Sequence, residues 1–326
     1  MPRSEELRVR AGDAQLAGTL TLPDEPPPPD RRGRYPNALL LPSWLPRDRH
    51  GALDRARHPT WFDPGPMAPG LLGRLASALA NAGVASLRCD PRGGGASDGE
   101  WASTTLFTRI DDARDMLAAM RSHGGLDLRR TGIVGHGEGA TLALSAAIGD
   151  PAVSALTLVG AAARSQRDVL RRGVALRART GADRRHPIVA ALDRWSEDLV
   201  ERAERREQSM RVHVGGEWLE LGLAGLEQAI HTPNLALATM LHRSVTLVHG
   251  ELDTLVSPDE SELLLAALRD AGNEPDLRLV AGAGHDLAEA PDELIADLAR
   301  DLAARLQPRE LPPVLVALEE MDGPLH

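Results

Sequence analysis

The sequence predicts an α/β fold: a mostly parallel, doubly wound, eight-stranded sheet with helices on both faces and a helical cap inserted after strand 6. Three observations carry this. Short apolar runs alternate with longer helical segments from residue 38 to residue 306, the rhythm of parallel strands joined by crossover helices. Runs such as Ala38-Leu39-Leu40-Leu41 are apolar throughout, as in strands buried on both faces. Thr131 to Ile148 reads as a short strand, a tight turn rich in glycine and a helix of small residues.

The elements follow in order. Val9 and the stretch Gln15 to Leu22 are expected as two antiparallel strands near one edge of the sheet. Asp24 to Arg34, with four consecutive prolines, is expected as a surface loop. The third strand is 38–41, followed by a helix over 67–82. The fourth strand is Val84 to Cys89, and the next helix runs from Thr104 to Arg121. Ile133-Val134 and Leu156 to Val159 are the fifth and sixth strands. Val245 to Val248 and Leu277 to Val280 close the sheet, each followed by a helix, 259–271 and 291–306. Residues 161–242 break the rhythm and read as mainly helical. The expected organisation is a discontinuous core, 1–160 and 243–307, a helical cap, 161–242, and a tail, 308–326. The tail is expected to dock on the body or on a partner subunit, as in a homodimer.

Composition narrows the function. At 326 residues the chain can bury a full core. There is no run of about 18 apolar residues, so no membrane span is expected. The first residues lack an apolar stretch, so no secretory signal is expected either. A single cysteine, Cys89, suits the cytoplasm. The net charge of −10 argues against non-specific nucleic-acid binding. All 37 basic residues are arginine, which excludes Schiff-base catalysis by lysine. Arginines outnumber acids 13 to 8 between Arg164 and Arg211. That excess is read either as solvated helices with i,i+4 pairs, such as Glu201 with Arg205, or as a cap attracting an anionic substrate.

Four segments carry chemistry. Leu41-Pro42-Ser43-Trp44 follows the third strand, and Asp90-Pro91-Arg92-Gly93-Gly94-Gly95-Ala96-Ser97-Asp98-Gly99 follows the fourth. Gly135-His136-Gly137-Glu138-Gly139 follows the fifth. His249-Gly250-Glu251-Leu252-Asp253 and Gly282-Ala283-Gly284-His285 follow the last two. Each motif alone is weak, but in this order and spacing they are strong. Over residues 5–306 the chain resembles the α/β-hydrolase superfamily, and within it serine esterases with D-x-R-G-x-G-x-S-x-G and G-H-S-E-G patterns.

The resemblance implies an α/β-hydrolase fold and places Gly137 where the nucleophilic serine stands. It implies Asp253 as the acid and His285 as the base. It also implies an oxyanion hole from the backbone N–H of Glu138 and a second N–H near Ser43 or Trp44, with the Glu138 side chain pointing away. A nucleophile elbow holds its central residue in a conformation that costs a residue with a side chain roughly 1–3 kcal/mol. Glycine adopts it at little steric cost. Gly135 and Gly139 are read as close strand–helix packing, His136 as a structural neighbour and Cys89 as a core residue.

Acyl-enzyme chemistry needs an attacking side chain at the elbow, and Gly137 has none. An oriented His285–Asp253 base is left. A general base contributes roughly 10²–10⁴-fold and an oxyanion donor about 10²–10³. These are enough for an activated carbonyl substrate and too little for an amide. The expected activity is therefore cofactor-independent and metal-free: proton abstraction leading to carbon–carbon bond formation, cyclisation or elimination in specialised biosynthesis. Open alternatives are a hydrolase that activates water through His285, an inactive ligand-binding homologue, and an esterase whose serine has been replaced. Trp44, with Trp101, Trp195 and Trp218, is expected to line a pocket for a small, flat or polycyclic molecule. Trp61 and Phe62 lie on the connection after Trp44.

Overall fold

In the computed structural model, which describes residues 2–27, 33–44, 47–52, 70–180, 187–214, 216–306 and 308, the chain opens with the expected hairpin, β1 (Arg3–Ala11) and β2 (Ala14–Leu22). Then come β3 (Tyr35–Leu41), α1 (Leu71–Asn81), β4 (Ala85–Cys89), a 3₁₀ turn at Trp101–Ser103, α2 (Leu106–Arg121), β5 (Leu126–His136), α3 (Gly139–Gly149) and β6 (Val153–Val159). An insertion follows: α4 (Gln166–Thr180), α5 (Pro187–Glu204), β7 (Ser209–Val214), β8 (Glu217–Gly222), α6 (Ala224–Ile230) and α7 (Asn234–Ala238). The chain returns through β9 (Ser244–Gly250), α8 (Asp259–Asp270), β10 (Asp276–Val280) and α9 (Asp292–Arg305). Trp61, Phe62 and almost all of the 308–326 tail lie outside the described residues.

The eight strands of the main sheet lie in the order β1-β2-β4-β3-β5-β6-β9-β10. β2 runs antiparallel to both its neighbours, and the other pairs are parallel. The fully apolar runs are explained by burial on both faces. Along β3 the side chains alternate, with Leu39 and Leu41 entering one core and Ala38 and Leu40 the other. The first core is covered by α2, α3 and α8, the second by α1 and α9. On α9, Ile295, Leu298 and Leu302 recur at helical spacing and are buried. Each contributes on the order of 1.5–3 kcal/mol by leaving water.

The insertion holds the expected helices and, in addition, an antiparallel hairpin, β7 with β8. Met210, Val212 and Val214 alternate with polar residues and face inward, joining Trp101 and α5 in a third apolar cluster. Gly216, at φ 95°, sits in the turn between the two strands. The arginines of the insertion are largely tied to acids. Arg205 reaches Glu201 at 2.8 Å as expected, Arg167 reaches Glu204 at 2.9 Å, and Arg177 reaches Asp193 at 2.7 Å. Arg205–Glu201 is the solvated i,i+4 pair expected, Arg167–Glu204 joins two helices, and Arg177–Asp193 is buried beside the cavity. Among the described residues no helix is long and apolar enough to cross a membrane.

Candidate active site

The loops after β3, β5, β6, β9 and β10 leave the sheet at the same edge, the carboxyl ends of the parallel strands. Ligands of open α/β sheets bind there. Asp90, after β4, organises part of this edge. Its carboxylate accepts from the backbone N–H of Arg49 at 2.7 Å and of Ala96 at 2.9 Å, and pairs with the Arg49 guanidinium at 2.8 Å. The Asp90–Gly99 motif therefore acts as a loop clasp.

His285 and Asp253, separated in sequence, meet in space. His285 Nδ1 donates to Asp253 Oδ2 at 2.7 Å. The other carboxylate oxygen of Asp253 accepts from the backbone N–H groups of Leu255 and Val256, both at 2.9 Å. A second imidazole, His249, lies 3.1 Å from Asp253 Oδ2. His249 is fully buried, donates to the Val256 carbonyl at 2.9 Å and accepts from the Ser261 hydroxyl at 2.7 Å. Both carboxylate oxygens of Asp253 are thus engaged, which fixes its carboxylate. Burial alone would raise the Asp253 carboxyl, but the imidazoles of His285 and His249 hold it below the usual carboxylate range. Burial opposes charge on His285 too, yet the adjacent Asp253 raises its pKa above the ordinary histidine value.

With Nδ1 committed to Asp253, His285 Nε2 faces Gly137. Gly137 has φ 57°, and its backbone N–H donates to the Val159 carbonyl at 2.8 Å. A Cβ at this position would fall 3.1 Å from His285 Nε2. It would also fall 2.5 Å from Ser43 Oγ and 2.9 Å from Ser43 Cβ. Gly160 flanks the same imidazole from β6: a Cβ there would stand 3.0 Å from His285 Cε1. A Cβ on Gly135 would strike the Gly139 carbonyl, and one on Gly139 would strike the carbonyls of Leu41 and Pro42. Both glycines therefore serve close strand–helix packing, as expected.

Behind His285, His136 is buried. Its Nε2 donates to the His285 carbonyl at 3.1 Å, and the two rings lie 4.8 Å apart. Burial, then the charge of His285, pushes His136 down to about 3, so it stays neutral. His136, His285 and Asp286 offer atoms within 4.8 Å of one another. Asp286, however, is held by Arg47 through two hydrogen bonds at 2.9 and 3.3 Å. A guanidinium already neutralising that carboxylate does not fit a cation site. Cys89 is buried, and burial pushes its thiol up to about 12, which makes it a core residue and a poor nucleophile.

Glu138 follows the elbow glycine and is the N-cap of α3; among the described residues no acceptor meets its backbone N–H. Its side chain accepts from Arg109 of α2 at 2.9 Å in a pair with both side chains largely buried, and the residue borders the pocket. Burial raises the Glu138 carboxyl, and Arg109 partly offsets this. Sequence reasoning missed Arg109, which lies on α2, and it read His249 only as part of a motif.

A cavity of about 100 Å³ opens at this point, bordered by Ser43, Trp44, Gly137, Glu138 and His285 from the core. Val169, Leu170, Arg177 and Leu192 of the insertion close the other side. A smaller one of about 40 Å³ adjoins it and is bordered by Trp44, Trp101, Arg109 and Glu138. Trp101 donates its indole N–H to the Trp44 carbonyl at 2.7 Å, and the two rings lie 5.4 Å apart. Two of the four expected tryptophans are therefore at the site. Trp195 instead packs in the apolar cluster of the insertion. Trp218 is 65% exposed on β8, under the Arg211 guanidinium, because the hairpin turns its outer face to solvent.

The sheet order, the turn at Gly137 and the joined His285–Asp253 pair define the α/β-hydrolase fold. The profile of the Hydrolase_4 family, serine aminopeptidase S33, matches residues 69–292, and the chain belongs to that family. Among solved structures it is similar to Est1E from Butyrivibrio proteoclasticus with bound ferulic acid, at 17% identity and a TM-score of 0.65, covering 91% of this chain and 98% of that one. It is similar to the α/β hydrolase GrgF from Penicillium sp. sh18, at 17% identity and a TM-score of 0.62, covering 93% and 98%. It is also similar to DcsB in complex with a substrate analogue, at 16% identity and a TM-score of 0.63, covering 93% and 98%. No curated protein matches the sequence significantly.

Proposed function

We propose that this chain is a cofactor-independent enzyme in which His285, oriented by Asp253, removes a proton from an activated carbonyl substrate. Carbon–carbon bond formation, cyclisation or elimination then follows, in specialised biosynthesis, without an acyl-enzyme at residue 137. One observation carries the reading. His285 Nε2 is the free end of a fully braced base, and it opens on a cavity in which residue 137 offers no side chain. Asp253 stabilises the imidazolium that forms when Nε2 takes the proton. The Glu138 N–H, at the start of α3, is the donor for the oxygen on which charge develops in this reading. A base and one such donor together contribute about 5–10 kcal/mol of barrier lowering.

The chemistry can be tested without the natural substrate. The probe is 5-nitrobenzisoxazole, whose ring opens to a coloured phenolate once its carbon-bound proton is removed. Wild type is expected to turn it over, with His285→Ala slower by about 10²-fold or more and Asp253→Asn also slowed. Equal rates in wild type and His285→Ala would sink the reading. Membership of a serine peptidase family favours one other reading, hydrolysis by water activated on His285. Turnover of p-nitrophenyl acetate without a burst, with the benzisoxazole untouched, would select it.

A further inference from the structure

The space that an elbow side chain would fill is not empty. The point where a Cβ of residue 137 would stand is 2.5 Å from Ser43 Oγ and 3.1 Å from His285 Nε2. The hydroxyl and the imidazole nitrogen thus border one point, and the gap between them is at most the sum of those two distances. Ser43 reaches that point from the loop after β3, and both it and Gly137 border the cavity. Among the described residues its hydroxyl makes no hydrogen bond, so no structural partner accounts for its position. Glycine at 137 and serine at 43 are complementary: the room left by the first is taken by the second.

We infer that Ser43 is a relocated nucleophile, giving this protein an acyl-transfer activity from residue 43 instead of residue 137. The inference shares the His285–Asp253 base with the reading above but not its proton-abstraction chemistry. Ser43 Oγ attacks the carbonyl carbon of an activated ester, and its proton passes to His285 Nε2. The tetrahedral oxyanion is met by the Glu138 N–H. The carbon–oxygen bond to the leaving alcohol then breaks, and His285 returns the proton to that alcohol; water, giving a proton to His285, then takes the acyl group as the acid, and His285 returns that proton to Ser43 Oγ. The hydroxyl and Nε2 are not hydrogen-bonded in this arrangement, and such contacts are commonly loose before substrate binds.

Diisopropyl fluorophosphate tests this directly. Attack by Ser43 Oγ forms a phosphorus–oxygen bond and expels fluoride, while the proton goes to His285. Intact-mass measurement should show one phosphoryl group per chain, and peptide fragmentation should place it on Ser43. Ser43→Ala should abolish the label, and His285→Gln should slow it by about 10²-fold or more with an unchanged circular dichroism spectrum. No label, a label on another residue, or labelling of His285→Gln at the wild-type rate would each overturn the proposal. The two proposals fail separately, since benzisoxazole opening needs no nucleophile and phosphorylation needs no acidic C–H bond.

Discussion

Replacing Gly137 by alanine should destabilise this protein through one identifiable neighbour. The backbone at 137 has φ 57°, and a side chain in that region costs about 1–2 kcal/mol. The added methyl would also lie 2.9 Å from Ser43 Cβ and 2.5 Å from its Oγ. Such overpacking typically costs about 1–3 kcal/mol. The expected loss is therefore about 2–5 kcal/mol, read from the midpoint of urea unfolding at constant slope. Ser43→Gly removes both offending atoms, leaving His285 Nε2 at 3.1 Å as the tightest remaining contact. The double variant Gly137→Ala/Ser43→Gly should thus recover about 1–3 kcal/mol relative to additivity. A loss below about 1 kcal/mol for the single variant, or no coupling in the cycle, would refute the claim that these residues share one space. The same geometry governs rescue: Gly137→Ser alone meets Ser43, so a working elbow serine should require Ser43→Gly as well.

Two further outcomes follow from the electrostatics. The raised pKa of His285 means that the folded state binds its proton more tightly than the unfolded chain does. Its stabilisation is present below the ordinary value of 6.5 and lost as pH rises through the folded value, while neutral base appears in that same upper window. The benzisoxazole rate should therefore rise with a midpoint above 6.5, and Asp253→Asn should lower that midpoint; a wild-type midpoint at or below 6.5 contradicts this. Arg109→Ala would strand the buried Glu138 carboxylate and should cost about 3–5 kcal/mol in urea unfolding, largely relieved by adding Glu138→Gln. A loss under about 1 kcal/mol would show that the pair is dispensable.

Much of this was legible in the sequence because the sheet writes itself as apolar runs. β3, β4, β6 and β9 are buried along most of their length, so Ala38 to Leu41 or Val245 to Val248 needed no tertiary information. The β7–β8 hairpin was harder to read. Its alternation of Met210, Val212 and Val214 is short, and it lies among residues of helical character. At the site, the resemblance brought Asp253 and His285 together, but contacts across loops leave no periodic trace. His249 touches Asp253 only because the chain folds back through Val256. Arg109 meets Glu138 only because α2 packs on α3. Ser43 and Gly137 share a space although they leave the sheet on different strands. Trp218 misled because rarity in the sequence carries no direction, and β8 turns it outward.

The cavity has two owners, the core loops and the insertion. The insertion is fastened near the acid loop by charged contacts: Arg172 with Asp259, Arg164 with Glu260, and Arg177 on the Thr254 carbonyl at 2.7 Å. Because α4 supplies part of the lining, the pocket is complete only with α4 seated. Were α4 unseated in a fraction of molecules, apparent affinity would be the intrinsic one reduced by the seated fraction. Salt weakens the exposed members of such pairs. The binding of an uncharged molecule would then depend on ionic strength, although the molecule itself carries nothing for salt to screen.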